Sequence, residues 1–302
     1  MPGQDMHTPH KIGPIARKLI TRFQKSHQQK VVNLQAWSQA QGEFDALTSD
    51  IALRASGDPR LAAFDLYNFV QNWALDIMEM LQDLPELGKL MSRVEAAQDE
   101  YMPGYPPMSP MTSTFFWPWM LYDMSVNAKG ETFAAILLAV GQEFKMAAVF
   151  LDTLSTLSES RLGLHVHEGW RDGRILLREL VSGTLRCCDT GSNYAGATGE
   201  LWLARVLMPP LPDMPHALVF STPYVVQRAD LAQWQAYLQH TLSKTKNTDE
   251  QAAYCCLMKH GLTPNYWAEY VFEAYANHNA NAIYILGLPD VDESRPHSRA
   301  NY

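Results

Sequence analysis

The chain has 302 residues, of which 47% are hydrophobic and 19% are charged, and its net charge is −8. This composition is typical of a globular protein with a substantial core, and it excludes a disordered chain. The negative net charge excludes the strongly basic field that usually marks a nucleic-acid-binding protein. The length suffices for one large domain or two ordinary ones.

The charge is distributed unevenly along the chain. Residues 1–30 carry a local charge of +5, so the remaining 272 residues carry −13. This N-terminal segment is interpreted either as a solvated helix face or as a basic arm for nucleic acid, an anionic membrane or an acidic partner surface. Its basic residues are Lys11, Arg17, Lys18, Arg22, Lys25 and Lys30.

The first half of the chain is predicted to be helical. Residues 1–13 form a flexible leader with several helix breakers, and residues 14–160 form the helical region. Pro14 is suited to the first turn of a helix, and a broken apolar stripe continues to about residue 55. Asp58-Pro59 is a clear start signal, and apolar residues then recur at helical spacing as far as Leu84.

A proline-rich connector and an aromatic block follow. A shorter helix is predicted over about 85–98, and the prolines of residues 101–112 force an extended or turned path. The aromatic residues of 115–122 predict a buried helix that begins near Ser113. Residues 131–157 read as one long helix.

Residues 161–226 alternate and turn in the manner of a small antiparallel barrel. They form the β module of the chain, between two helical regions. The predicted strands are Leu162–Glu168, Arg174–Leu180, Leu185–Cys188, Glu200–Met208 and Ala217–Val226.

The C-terminal helical region is assigned to residues 227–288, and residues 289–302 form a tail. Its helices are predicted over 229–242, 249–260 and 264–277, and Gly261 is expected to cap the second. A short strand is expected over 282–288. The fold class is therefore α+β: a mainly helical body, an inserted barrel-like β module at about 162–226, and C-terminal helices packing back. The aromatic blocks 115–122 and 266–275 are expected to meet in the core.

Three stretches carry a family resemblance: 116–123, with aromatics ending in Leu-Tyr-Asp, 177–183 (LRELVSG) and 199–207 (GELWLARVL). They resemble a loose group of uncharacterised bacterial proteins in which a helical front half leads into a small β module. That module has an L-R-D-L-x-x-G turn and a G-D-x-x-x-A-R-V strand, with Glu179 and Glu200 here in place of Asp. The resemblance covers about a third of the chain. It implies a fold but no reaction, and the cysteine-rich metal-binding tail of some members is not found here.

His165 and His167 are the candidate metal ligands. Residues two apart on a strand point to the same face, so their imidazoles could bind one ion together. The third ligand would come from elsewhere, for example His216, His260 or His278. The alternative interpretation is a pair of ordinary histidines on a strand.

Other candidate chemistry is weaker. Cys187 or Cys188 could be a nucleophile, but a β-strand offers little to lower a thiol pKa. The glycine-rich segment 191–199 fits neither a Walker A loop nor a dinucleotide fingerprint, and it is interpreted as a β-loop whose N–H groups would favour an anion. A carboxylate within an aromatic-rich helix is either paired or has a raised pKa, and for Asp123 and Glu273 we expect pairing with an arginine such as Arg205.

The leading functional hypothesis is a non-catalytic binding or scaffold component of a bacterial cytoplasmic system, acting through protein–protein contacts. The alternatives are a nucleic-acid-associated component using residues 11–30 and a metal-dependent hydrolase using His165 and His167. No cofactor and no membrane contact are predicted. A protein partner is expected, and a homo-oligomer is possible. The cytoplasmic location is inferred from the missing signal peptide and disulfide framework.

Overall fold

The computed structural model describes residues 12–28, 59–102, 110–127, 129–208, 216–244 and 249–290, together with Gly42 and Ala46. Its first part is a helical body, in which a single 3-10 turn (Pro85–Leu87) precedes α3 and a π-helical turn (Thr112–Phe116) precedes α4. The helices are α1 (Pro14–Gln28), α2 (Pro59–Leu81), α3 (Gly88–Tyr101), α4 (Trp117–Tyr122), α5 (Phe133–Glu143) and α6 (Ala148–Glu159).

The β module and the C-terminal helices follow. The first six strands are β1 (Leu162–Arg171), β2 (Arg174–Glu179), β3 (Leu185–Thr190), β4 (Leu201–Leu207), β5 (Ala217–Val219) and β6 (Tyr224–Gln227). The remaining elements are α7 (Leu231–Ser243), α8 (Glu250–His260), α9 (Tyr266–Ala274), β7 (Tyr275–His278) and β8 (Ile283–Leu286).

Five strands close into a barrel. The order β1-β2-β3-β5-β4 returns to β1, because β1 pairs with β4 as well as with β2. Three further strands extend the sheet from β4 through β6 and β8 to β7. The α+β class with a barrel-like β module is thus confirmed. The pairing is not wholly antiparallel, since β3–β5 and β6–β8 are parallel.

Strands β1 and β4 contribute side chains to the core of the helical body and to the core of the barrel. On β1, Leu164 and Val166 belong to the same apolar cluster as the helical body. On β4, Trp202 and Ala204 point the other way and belong to a separate cluster inside the barrel. Because successive strand residues face opposite sides, β1 and β4 serve both cores at once.

Two predicted helices differ from the structure. The helix expected over 131–157 is two helices, α5 and α6, and Lys145 between them has a φ of 55°. A residue in this left-handed conformation cannot continue a right-handed helix, so the chain turns there. The helix expected over 264–277 ends at Ala274, because Tyr275 and its successors pair with β8 instead. The strand expected over 282–288 is β8.

The two aromatic blocks meet in the core, as predicted. Phe115 lies edge-on to Phe272, with ring centroids 6.0 Å apart. Tyr101 stacks on the other side of Phe272 at 5.3 Å. Edge-to-face and offset aromatic pairs contribute beyond the area that they bury, so this junction fastens α9 to the helical body.

The basic helix α1 lies on the helical body. Its apolar side is buried at Ala16 and Leu19. The Glu131 carboxylate accepts hydrogen bonds from the backbone N–H groups of Ile15, at 3.2 Å, and Ala16, at 3.3 Å. A carboxylate at a helix N-terminus satisfies unpaired donors and complements the helix dipole, so Glu131 fixes the start of α1.

Replacing Glu131 by alanine is expected to lower the free energy of unfolding by about 1–2 kcal/mol, the cost of losing a buried N-terminal carboxylate. Glu143→Ala is the matched control, because Glu143 also reaches α1, through Gln24, but is exposed. Its expected cost is below about 0.5 kcal/mol. Urea denaturation of both variants measures the difference, and equal losses would contradict the capping role.

None of the helices in the described ranges is both long enough and apolar enough to cross a membrane.

Candidate functional site

A cleft of about 540 Å³ lies where the helical body meets the barrel. One wall is the first half of α2, from Arg60 to Asn72. The π-helical turn and Pro118 form the floor, and the opposite wall combines the loop after β3 with the connection between β5 and β6. The volume falls within the range of about 300–1,000 Å³ that is usual for small-molecule sites.

Within the part of the chain that the structure describes, the lining is polar and contains no carboxylate. Arg60 is the one charged residue among these described lining side chains. The nearby Asp189 precedes the lining residue Thr190 but is not itself among the lining residues, and its carboxylate is paired with Arg174 at 3.2 Å. Amide and hydroxyl groups supply both hydrogen-bond donors and acceptors. They come from Asn68, Gln71, Asn72, Ser113, Thr114, Thr190, Ser192, Asn193, Ser221 and Thr222.

Two stretches of irregular backbone border this cleft. The π-helical turn supplies Ser113 and Thr114, and such turns occur frequently at functional sites. On the opposite wall, Asn193 has a φ of 58°. A side chain at Gly191 would approach the Phe64 ring to 3.0 Å, so glycine lets the loop lie close against α2. Strained or unusual backbone is typical of sites that are built to hold a ligand.

Three polar atoms around the cleft have no hydrogen-bond partner within the described protein. They are Gln71 Oε1, Ser221 Oγ and Thr112 Oγ1. Gln71 and Ser221 line the cleft, and Thr112 immediately precedes the lining residue Ser113. Ser221 exposes only 9% of its surface. A buried polar group without a partner costs about 1–3 kcal/mol, so such groups require an explanation.

If Ser221 serves a ligand rather than the fold, Ser221→Ala should raise the free energy of unfolding of the ligand-free protein by about 0.5–1 kcal/mol. The reason is that the variant no longer buries an unpartnered hydroxyl. Urea denaturation measures the change. Ser160→Ala is the matched control, because the Ser160 hydroxyl accepts a hydrogen bond from Arg205 at 2.6 Å and its loss should destabilise. A comparable loss in both variants would show that Ser221 is structural.

The histidines proposed as metal ligands lie on the inner side of β1. His165 is opposite Trp202 of β4 and opposite Glu179 of β2. Burial lowers the pKa of the His165 imidazole to about 4, with Arg161 and Arg186 adding to the effect and Glu179 opposing it. The side chain is therefore a neutral, buried imidazole.

Hydrogen bonds within the barrel occupy both ring nitrogens of His167. Nδ1 accepts from the Gly169 N–H at 3.1 Å, so Nε2 carries the proton and donates to the Ala195 carbonyl at 2.9 Å. Metal coordination by His167 would break one of these bonds.

The histidine pair also lacks a third ligand in the described ranges. No group of three or more His, Cys, Asp or Glu side chains is placed there to hold a metal ion. Of the suggested third ligands, His260 contacts the Asp123 carbonyl and His278 contacts the Tyr275 hydroxyl. Metal binding by His165 and His167 stays a prediction that receives no support from this geometry.

The predicted pairing of Asp123 with Arg205 is confirmed. The two charges form a direct ion pair, and each side chain is only 2% exposed. Lys259 of α8 joins them, with Nζ 3.4 Å from Asp123 and 2.6 Å and 2.8 Å from the carbonyls of Ser158 and Ser160. Burial lowers the pKa of Lys259, and Asp123 opposes that shift. All donors of Lys259 are used, so this cluster holds the helical body, the barrel and α8 together.

The cysteine hypothesis is not supported. Cys188 is completely buried inside the barrel, and burial raises the pKa of its thiol to about 12. A thiol with such a pKa is not a nucleophile at neutral pH. Its neighbour Cys187 is half-buried.

The basic N-terminal residues lie on the outer side of α1. Arg17, Lys18 and Lys25 are exposed, and Arg22 is paired with Glu86 at 2.8 Å. Two others, Lys11 and Lys30, lie outside the described residues. The segment is thus an amphipathic helix, and the nucleic-acid hypothesis stays a prediction. Deletion of residues 1–30 would also remove buried apolar surface of α1, so neutralising the three exposed charges is the cleaner test.

The sequence indicates only part of one wall of the cleft. It predicts 191–199 as a β-loop whose N–H groups would favour an anion, and Gly191, Ser192 and Asn193 of that loop line the cleft. It does not indicate the α2 wall, because the polar residues there have the ordinary pattern of a solvated helix face. Comparison of the chain with protein-family models, curated proteins and solved structures gave no match.

Proposed function

We propose that this protein acts by binding, and that it holds a small polar ligand in the cleft between the helical body and the barrel. The observation that carries the proposal is the pair of unpartnered polar atoms, Gln71 Oε1 and Ser221 Oγ, on side chains that line the cleft. Bound ligand would provide the missing partners. The π-helical turn and the left-handed Asn193 support the same conclusion.

The side chains that line the cleft are better suited to binding a ligand than to catalysing a reaction. The described residues of the lining supply amides, hydroxyls and one guanidinium, but no carboxylate, histidine, cysteine or lysine. General acid–base catalysis most often uses those missing groups, whereas amides and hydroxyls orient a ligand. The proposal therefore retains the non-catalytic binding role expected from the sequence. The scaffold role, the protein partner and the homo-oligomer stay separate predictions.

The test is a thermal-shift screen against sugars, nucleosides, their phosphates, amino acids and small carboxylic acids. At least one compound should raise the melting temperature of the native protein, because a ligand that binds only the folded state stabilises it. Asn68→Trp should abolish that shift, since Asn68 is an exposed side chain within the cleft and an indole there fills it.

Asp76→Trp is the matched control, because Asp76 is exposed on the same helix but does not line the cleft. It should respond to the ligand as the native protein does. The proposal is wrong if no compound shifts the melting temperature, or if the native protein and Asn68→Trp respond equally.

A further inference from the structure

We infer that His167 and Glu200, at one end of the barrel, are positioning residues for the cleft, because they hold the loop 191–199 that forms part of its wall. The inference rests on the proposed function, and it adds two residues that set the affinity of the cleft for its ligand without lining it. Both residues act through hydrogen bonds to this loop.

The two ends of the loop have different surroundings. Residues 191–193 line the cleft, whereas residues 194–196 lie against the end of the barrel. Most residues of the loop are exposed, so few contacts fix its course. An exposed loop keeps one conformation only through the contacts that it makes, and the attachments of 194–196 therefore also fix the neighbouring 191–193.

His167 provides the first attachment. Its side chain is fully buried, and Nε2 donates a hydrogen bond to the Ala195 carbonyl at 2.9 Å. The Gly169 N–H donates to Nδ1 at 3.1 Å, and this bond fixes the tautomer of the ring. The Trp202 ring packs against the imidazole, with centroids 5.3 Å apart. The donor that holds Ala195 is thus oriented by the barrel interior.

Glu200 provides the second attachment. Its carboxylate accepts hydrogen bonds from the Tyr194 hydroxyl at 3.1 Å and from Trp202 Nε1 at 2.9 Å. Gly196 lies against the same two side chains. A Cβ atom there would approach the Trp202 ring to 2.5 Å and the Glu200 carboxylate to 2.9 Å, and the φ of Gly196 is 69°. Glycine therefore lets the loop lie directly on the end of the barrel.

These attachments lie next to the wall of the cleft. Tyr194 directly follows the lining residue Asn193, and its backbone N–H donates to the hydroxyl of the lining residue Ser192 at 3.3 Å. At the start of the loop, Gly191 lies close against Phe64 of α2. Binding groups that are already held in place lose less conformational entropy when a ligand binds. Removing an attachment should therefore weaken binding although every lining residue is unchanged.

Isothermal titration calorimetry tests the inference, with the compound that gives the largest thermal shift in the screen as the probe. His167→Met should weaken binding about three- to tenfold, because methionine fills the space but cannot donate to Ala195. His167→Gln should bind the probe to within about twofold of the native protein, since its amide can donate from nearly the position of Nε2. Tyr194→Phe removes only the hydroxyl that Glu200 holds, and it should also weaken binding.

His165→Met is the matched control. His165 is a buried histidine on the same side of β1, but its charged neighbours are Glu179, Arg161 and Arg186 rather than groups of the loop. This variant should lose stability and keep its affinity for the probe. Hydrogen exchange in the ligand-free protein gives a second readout, because the amides of 191–193 should exchange faster in His167→Met than in His165→Met.

The inference is overturned if His167→Met binds the probe as tightly as the native protein, or if His165→Met weakens binding equally. A loss in His167→Gln as large as in His167→Met would also overturn it, because the hydrogen bond to Ala195 would then not be the attachment. In each of these cases the proposed function stands. If His167→Met does not fold, Tyr194→Phe decides by the same two measurements. If no compound of the screen binds the native protein, the proposed function and the inference both fail.

Discussion

Replacing Arg205 by methionine is expected to lower the free energy of unfolding by about 3–5 kcal/mol, because it leaves the buried Asp123 carboxylate without its main partner. Lys259 remains within 3.4 Å of that carboxylate and offsets part of the charge. Methionine retains much of the arginine volume, so the loss reports the ion pair and its hydrogen bond to Ser160 more than a cavity. Equilibrium denaturation in urea measures it.

The matched control is Arg178→Met, which removes the same side chain from another barrel strand. Arg178 pairs with Glu168 at 2.6 Å, but the two side chains are 36% and 35% exposed. A pair so accessible to solvent contributes about 0–1 kcal/mol. The expected difference therefore reports the burial of the Asp123–Arg205 pair together with the hydrogen bond from Arg205 to Ser160. A loss below 1 kcal/mol for Arg205→Met would show that the cluster does not hold the protein together.

Only part of this cluster could be predicted from the sequence. An acid that directly follows the aromatic residues of 115–122 needs a partner, and the sequence predicts an arginine such as Arg205 for that role. Lys259 could not be named, because one lysine near the end of a helix looks like any exposed lysine. Its role appears only when α8 packs against the barrel and brings Nζ to the carbonyls of Ser158 and Ser160.

The strands and their limits were more predictable than the way they close. Alternating residues and turn glycines predict the first four strands of the β module to within a few residues, but the single strand predicted over Ala217–Val226 is two strands, β5 and β6. The closing pair β1–β4 and the parallel pair β3–β5 join distant segments, and no local pattern encodes them. The cleft could not be predicted for the same reason. Its walls come from α2, the π-helical turn and two loops, which are separated by up to about 160 residues.

For the histidine pair, the local pattern predicted a metal site that the geometry of the barrel does not support. The alternation placed His165 and His167 on one face of β1, as the structure has them, but that face is the barrel interior. His167 is held by Gly169 and Ala195, and His165 is held neutral by burial. Whether a strand face is wet or enclosed depends on barrel closure, which the spacing of the histidines does not reveal.

The buried imidazole of His165 should make the protein less stable as the pH falls from about 6.5 to 4. Burial lowers the folded-state pKa of His165 to about 4 from an ordinary value near 6.5. Above pH 6.5 the residue is neutral in both states and costs nothing. Between the two pKa values His165 is protonated in the unfolded chain but neutral in the native protein. The free energy of unfolding therefore falls by about 3 kcal/mol in total.

Urea denaturation of the native protein and of His165→Gln at a series of pH values isolates this contribution. The difference between the two stability curves should be flat above pH 6.5 and should change by about 3 kcal/mol between pH 6.5 and pH 4, in favour of the variant at the acidic end. His240→Gln, a substitution of an exposed histidine on α7, serves as the reference for the same chemical change. Because Glu179 opposes the shift while Arg161 and Arg186 add to it, removing Glu179 should lower the folded-state pKa of His165 further and extend the loss of stability to lower pH. Parallel curves for the native protein and His165→Gln would mean that the imidazole is accessible to protons in the folded barrel, and that the interior around β1 is open rather than packed.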